Sequence, residues 1–341
     1  MTVAALPGNV RLRRFQIGKE TTFGTVVPAT LRLPGTFAPN DDPHWTFPTA
    51  DTGTLDDVLP PYRLAGDFGG AYTGSADYDT MARIWAATLL GGVTPAGGGA
   101  DKTWTFAPAS TSQDPFEIFS GEWGDETTDQ RGYGSGTINH LQLTFPEDLS
   151  PAQISADWYF STLAYPQAVT GGLSVPASPI WLYAADTALY IDDTSGAIGG
   201  TKLANTLHGG NIDINNNLDK KRFANGSNTR FQLAGFGRGK RDVVATFTFA
   251  KSAVGIAEAV KWLNADPTKR FVSMKTISPT LIAATATHYS QEVRFSGYWT
   301  AKTEGTYGTA NTTNVLTCHG VYDTGLTYPI QSVLVCAATV L

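Results

Sequence analysis

Residues 119–123 read FSGEW, and residues 295–299 read FSGYW. Alone, such an echo means little, but its surroundings repeat at nearly one spacing. Phe119 to Phe295 is 176 residues, Trp85 to Trp262 is 177, Arg63 to Arg241 is 178 and Ile154 to Ile330 is 176. Upstream of each echo stands a strand-like run, 63–75 and 241–253; the second alternates Val244, Thr246 and Thr248 against Ala245, Phe247 and Phe249. A helical pattern follows each run. In 77–92, Met81, Ile84, Trp85, Thr88 and Leu89 fall on one face, with Asp77 or Asp79 as cap and Gly91 as stop. In 255–267, Ile256, Ala259, Val260 and Leu263 form a stripe expected to face the core before Asp266 and Pro267 end the helix.

The openings also run parallel, since Gly18 and Gly196 lie 178 apart. A Pro/Gly/Ser-rich joint at 165–179 divides the chain, giving domains at 1–170 and 171–341. The expected fold is mainly β: two tandem barrels or sandwiches of about seven or eight strands, each with one flanking α-helix.

Composition supports that class. The 341 residues include 36 Gly, 19 Pro, 17 Phe, 13 Tyr and 8 Trp, and only 16% are charged. So lightly charged a surface is expected to be covered by neighbours. A net charge of -6 argues against a protein that grips nucleic acid, because that affinity comes from cations neutralising phosphates. The start, MTVAALPGNVRLRRF, has no basic stretch leading into an apolar run, and nothing approaches a membrane span, so a soluble, unsecreted protein without membrane contact is expected. Cys318 and Cys336 are expected to be reduced, half-buried strand residues.

Catalytic and metal-binding patterns do not emerge. His44, His140, His208, His288 and His319 are scattered without motif partners. GFGRGKR (235–241) lacks the Ser or Thr and the helix of a phosphate loop and reads as a hairpin tip. DINNNLD (213–219) has Leu218 where a calcium loop needs Gly, and Ala224 where it needs Glu. GEWGDETTDQ brings Glu122, Asp125, Glu126 and Asp129 together as a solvated acidic patch, with a glycosidase acid and base as the remote reading. No catalytic residue, cofactor or metal is assigned.

The stretches IGKETTFGTVVPAT (17–30), GDFGGAYTGSADYD with LLGG (66–92), YIDDTSGAIGGTKL (190–203) and GNIDINNNLD (210–219) resemble the tail tube proteins, or major tail proteins, of long-tailed non-contractile phages. The resemblance implies a tube-type β domain in each half and a structural subunit of a virion tail, assembled in the host cytoplasm. In that family barrels join edge to edge in rings of six, which stack into a hollow conduit for the genome. A doubled chain implies three chains per pseudo-sixfold ring. The partners implied are further copies of the chain, tape measure, terminator and tip proteins, and passing DNA that is not specifically bound. A carbohydrate-binding or adhesin-like tail-tip protein, with Trp and Tyr as a sugar platform, is the alternative.

Two loops contrast in charge. Residues 40–62 hold Asp41, Asp42, Asp51, Asp56 and Asp57 with no Lys or Arg. Residues 218–242 hold Lys220, Lys221, Arg222, Arg230, Arg238, Lys240 and Arg241 against Asp219 and Asp242. The acidic loop of one subunit is expected to meet the basic loop of another, giving register more than affinity. A bore for DNA requires a polar or acidic lining with few cations, for which the Glu122, Asp125, Glu126 and Asp129 cluster is the sequence candidate.

Overall fold

The protein was analysed as a computed structural model that describes residues 12–48, 59–110, 115–125, 129–176, 178–223, 233–264, 267–307 and 311–341. The first half carries β1 (Arg14–Lys19), β2 (Leu31–Arg32), β3 (Gly35–Pro39), β4 (Trp45–Thr46), β5 (Tyr62–Arg63), β6 (Phe68–Ser75), helix α1 (Tyr78–Thr88), β7 (Lys102–Phe106), β8 (Phe119–Gly124), β9 (Arg131–Phe145), β10 (Gln153–Phe160) and β11 (Thr162–Ala164). The second carries β12 (Thr187–Asp192), β13 (Leu207–Asn215), β14 (Asp219–Lys221), β15 (Gly235–Gly237), β16 (Asp242–Ala250), helix α2 (Ala253–Trp262), β17 (Arg270–Leu281), β18 (His288–Tyr307), β19 (Asn311–Val321) and β20 (Ile330–Cys336). The chain is mainly β and its strand pairs are antiparallel, as the sequence composition leads one to expect.

Hydrogen bonding orders the first half as β1-β8-β9-β10-β6-β3. It orders the second as β12-β17-β18-β19-β16-β13. Both orders visit the chain in the same sequence, with a helix after β6 or β16 and a small hairpin, β4–β5 or β14–β15, before it. A shared irregularity aligns the two residue by residue. In β9, Asn139 is skipped between the pairs Ile138–Trp158 and His140–Asp157. In β18, Thr300 is skipped between Trp299–Cys318 and Ala301–Thr317. A bulge twists and redirects its strand, so its position belongs to the architecture. The spacing is 300 minus 139, or 161, and Gly136 and Gly297 keep it. Neither glycine has room for a Cβ, which would stand 2.1 Å from the Phe160 ring in one and 2.4 Å from the His319 carbonyl oxygen in the other.

This alignment corrects the echo. FSGEW lies on β8 and FSGYW on β18, which occupy different places in the order. Trp123 donates its indole N–H to the Phe37 carbonyl (3.0 Å), whereas Trp299 donates to Glu258 Oε2 (3.2 Å). The caps of the two helices, Asp77 and Ser252, stand 252 minus 77, or 175, apart. Beyond the helices the spacing falls to 161, because only the first half inserts β7 between helix and next strand. A Phe-Ser-Gly-x-Trp pattern suits either strand, since both bury alternate large side chains.

The second helix also departs from expectation. Its buried residues are Gly255, Glu258 and Ala259, while Val254, Ile256, Val260 and Leu263 are exposed. A salt bridge holds it down instead: Glu258 accepts from Arg270 Nε (3.0 Å) and Nη2 (2.8 Å), and both residues are buried. Helix α1, by contrast, is buried on almost every side. Thr137 donates to its Ala87 carbonyl (2.7 Å), and Ala337, just past β20, donates to its Asp79 Oδ1 (3.0 Å). Burial, with Asp79 nearby, pushes the Asp77 carboxyl up to about 6.

The halves meet along a ladder between β9 and β13, running from Phe145–Gly210 to His140–Asn215. Strand β7 crosses over to pair with β20. The main buried apolar cluster consequently runs through both halves, from Phe15 to Cys336, and includes Cys318 and Cys336, which are fully rather than half buried. Glu258→Ala removes the buried carboxylate that Arg270 and Trp299 donate to and leaves Arg270 with the exposed Asp193 as its remaining acid, so it is expected to lower stability by up to about 3–5 kcal/mol. Ile256→Ala on the exposed face is expected to change it by under about 0.5 kcal/mol. Urea unfolding midpoints measure both.

Candidate assembly surface

Sixteen strands share one hydrogen-bonded network. Within it, β18-β19-β16-β13-β9-β10-β6-β3 form a continuous sheet in which the order β18-β19-β16-β13 is followed by its counterpart β9-β10-β6-β3. One end is β3. The other is the second part of β18, because β17 pairs β18 only as far as Gly297 and β19 lies on the opposite side.

One face of this sheet packs on the core and the other is open. The open face presents Ala38, Asn40, Thr73, Ser155, Gln142, Thr144, Asn211, Thr246, Thr317 and Thr303, together with His140, Asp157 and Asp213. Cross-strand bonds confirm the facing: Thr36 to Thr73 (2.9 Å) and Thr246 to Thr317 (3.3 Å). Among the described strand residues on this face, none is Lys or Arg. At the seam, His140 Nε2 lies 2.9 Å from Asp213 Oδ1 and its Nδ1 lies 3.4 Å from Asp157 Oδ2. The Asp213 hydrogen bond outweighs partial burial and holds the imidazole above its ordinary pKa of 6.5.

The acidic cluster read from the sequence does not form a solvated patch. Glu122 is buried, and its carboxylate accepts from Gln16 Nε2 (3.1 Å), Ala29 N (3.1 Å), Thr170 N (2.6 Å) and Thr170 Oγ1 (2.8 Å). It ties the joint between the halves to β1. Asp125 is buried too, Asp129 pairs with Arg131 (3.3 Å), and Glu126 lies outside the described residues. An acidic residue followed by Trp and Gly reads as a surface turn; only the fold shows that the strand carrying Glu122 is covered on both faces.

The charged loops are partly consumed within the chain. Asp41 accepts from Arg131 (2.8 Å) and the Tyr133 hydroxyl (2.9 Å), so it is internal. Asp42 remains exposed beside His44 (3.0 Å), and Asp51, Asp56 and Asp57 lie outside the described residues. On the basic side, Lys220 (3.0 Å) and Arg222 (2.8 Å) both hold Asp67 of the first half, a residue the loop contrast overlooked. Lys221 pairs with Asp219, and Arg230 is outside the described residues. Residues 235–241 are no hairpin tip: β15 returns to β14, and Arg238 (3.2 Å) and Arg241 (3.3 Å) donate to the Leu89 carbonyl at the end of α1. Lys240 stands out in solvent, its side chain 83% exposed.

Of the tryptophans, Trp85, Trp104, Trp123, Trp158 and Trp299 are buried, Trp181 is half-buried, and Trp45 and Trp262 are exposed, as are Tyr62, Tyr165, Tyr183 and Tyr322. Among the described residues no His, Cys, Asp and Glu gather as a metal cluster, and no helix is long and apolar enough to cross a membrane. No model of a known protein family matches the chain, and no curated protein matches it.

The Asp67 carboxyl is partly buried, which raises its pKa, but the hydrogen bond and charge of Lys220, then Arg222 and His44, hold it below the usual value of 3.8. The Lys220–Arg222 clasp is therefore at full strength above about pH 4 and is lost as pH falls through the lowered value. Asp67→Asn is expected to speed amide exchange through β14 and β15 at a stability change below about 1 kcal/mol. For His140 the sign is opposite. Its stabilisation is complete below about pH 6.5 and fades as pH rises through the elevated folded value, so its ring-proton titration should show a midpoint above 6.5.

Proposed function

We propose that this chain is a tail-tube-like structural subunit: two tandem β domains that self-assemble edge to edge into rings, which stack as a hollow conduit for a viral genome. One observation carries the reading. The eight-strand sheet contains at its centre a joint between β13 and β9, and its two ends are the counterparts of those strands, β3 and β18. Unlike ends of this kind give a heterologous, head-to-tail contact, which closes into a ring where the rotation between units closes and runs on as an open filament where it does not. Three chains, each supplying two equivalent units, make the ring pseudo-sixfold, in line with the doubled tube proteins that the sequence resembles.

The register follows from the alignment. Strand β3 pairs Thr36 with Thr73 as β13 pairs Gly209 with Thr248, so 209 minus 36 gives 173. The seam pair Asp213–Gln142 then maps onto Asn40 (213 minus 173) and Thr303 (142 plus 161). Likewise Asn211–Thr144 maps onto Ala38 and Gly305, and Ile214–Leu141 onto Asp41 and Lys302. The open face supports the same reading: Lys220, which lies over Tyr159, is paired with Asp67, His140 sits between Asp157 and Asp213, and the remaining Thr, Ser, Asn, Gln and Asp offer no cation to retain phosphates. Exposed Val254, Ile256, Val260 and Leu263, on α2 and its C-cap, supply a further surface for a neighbour, each gaining about 1–2 kcal/mol if the part still open to solvent is covered.

Asn40→Cys with Thr303→Cys is expected to form interchain disulfides under oxidation, giving a ladder that ends at a closed covalent trimer, because directly opposed Cα atoms lie about 4.5–5.5 Å apart. Cys318 and Cys336 are buried and do not compete. The mismatched pair Asn40→Cys with Lys302→Cys should not cross-link. Absence of rings or hollow filaments in negative stain at high concentration would overturn the tube reading, and a compact trimer that binds glycans would favour the adhesin alternative.

A further inference from the structure

We propose that the groove bounded by Arg238, Lys240, Arg241, Val243, His319 and Tyr322 is the seat for the β4–β5 arm of a second copy of this chain. The proposal rests on the edge pairing above and names the contact that accompanies it. The groove is a cavity of about 510 Å³ on the second half.

A docked arm already exists inside the molecule. After β13 crosses the seam, the segment leading into β14 and β15 settles on the first half. Leu218 N donates to Asn139 Oδ1 (2.8 Å), and Lys220 Nζ stands 4.3 Å from the centre of the Tyr159 ring. Lys220 and Arg222 hold Asp67, and Leu233 N donates to the Ser161 carbonyl (3.2 Å). Each of these four anchor points has an equivalent in the second half. Ser75–Gln153 and Ala250–Thr313 are matching pairs, so β10 maps onto β19 by 313 minus 153, or 160. Asn139 becomes Thr300, Tyr159 becomes His319, Ser161 becomes Val321, and Asp67 becomes Asp242 (67 plus 175). Two of the four equivalents, His319 and Val321, line the groove; Asp242 lies between Arg241 and Val243, which also line it, and Thr300 is not on its wall. The cavity of the second half thus overlaps the place where the first half receives an arm.

The arm that follows β3 as β14–β15 follows β13 is β4–β5. Its Trp45, Phe47, Leu59, Tyr62 and Leu64 are exposed, an apolar load that its own chain leaves uncovered. Between residues 40 and 62 the sequence carries Asp and neither Lys nor Arg. The groove answers both properties, with Val243, Val321 and Tyr322 on its walls and Arg238, Lys240 and Arg241 at its rim. Arg238 and Arg241 already donate to the Leu89 carbonyl, so their guanidinium groups are held in place before any arm arrives. The groove keeps an acid, Asp242, where the first half has Asp67, but it adds Arg238, Lys240 and Arg241, cations that an acidic arm can meet and that the internal seat does not need for its basic arm.

The test uses a fluorescein-labelled synthetic peptide spanning residues 40–66, titrated into the full chain at a concentration where sedimentation shows a monomer. Saturable binding by fluorescence anisotropy is expected, weakened about tenfold or more by Lys240→Glu with Tyr322→Ala. Both side chains are solvent-exposed, and an unchanged urea midpoint confirms that the variant folds. Lack of saturable binding, or equal binding to the variant, overturns the seat. Assembly is scored separately by negative stain. Rings without peptide binding overturn this contact and leave the edge pairing standing; peptide binding by a chain that never forms rings upholds the seat and overturns the tube.

Discussion

A β-strand at a sheet margin carries a row of backbone N–H and C=O groups that need partners, and in this chain the outer margin of β9 finds them in β13. That ladder welds two similarly ordered sets of strands into one sheet and lets the arm beyond β13 reach Asp67. It also helps to close the surroundings of α1, whose Thr88 carbonyl accepts from Asn216 just past the end of β13 (2.8 Å). The second half has the same margin on β18, and among the described residues no strand pairs with it there. Its groove and its uncovered helix face follow from the same incompleteness.

The free margin is also guarded. Asn40 and Asp42 donate their N–H groups to Gly69 and Asp67, so these alternate residues of the strand face β6 and the residues between them face outward. Pro39 stands at one of the outward positions. A proline there costs no internal hydrogen bond and removes a donor from the exposed edge, a common protection against casual pairing. Trp123 caps the neighbouring Phe37 carbonyl. A partner strand must therefore bring correct side chains as well as a backbone, which favours a specific neighbour over aggregation.

The sequence reads as doubled on landmarks that the fold keeps only loosely. A strand followed by a helix does stand in both 63–92 and 241–263, but the helix caps lie 175 apart, which sets the buried Trp85 opposite Val260 (85 plus 175) and not opposite the exposed Trp262. The FSGxW echo does not mark equivalent strands, because β7 displaces everything after α1, and equivalent residues such as Phe119 and Arg270 share no chemistry. Strand facing was equally hidden. Thr246 and Phe247 alternate plainly, yet nothing local tells which face meets the core when both are to be covered. Glu122 and Asp41 looked like solvent-facing acids because their partners, Thr170 and Arg131, are distant in the chain. Lys220 and Arg222, expected to meet the acidic loop of another subunit, pair with Asp67 of their own chain.

The pairing of β7 with β20 has a consequence for biosynthesis. Trp104 donates its indole N–H to the Ala338 carbonyl, 338 minus 104 or 234 residues away, and Asp79 at the head of α1 receives the amide of Ala337. Synthesis must therefore pass Ala338 before α1 can be closed over. Such distant closure raises the contact order, and a high contact order slows folding. A chain halted before Ala337 would leave Trp104 without the carbonyl its indole bonds and the head of α1 without its amide donor.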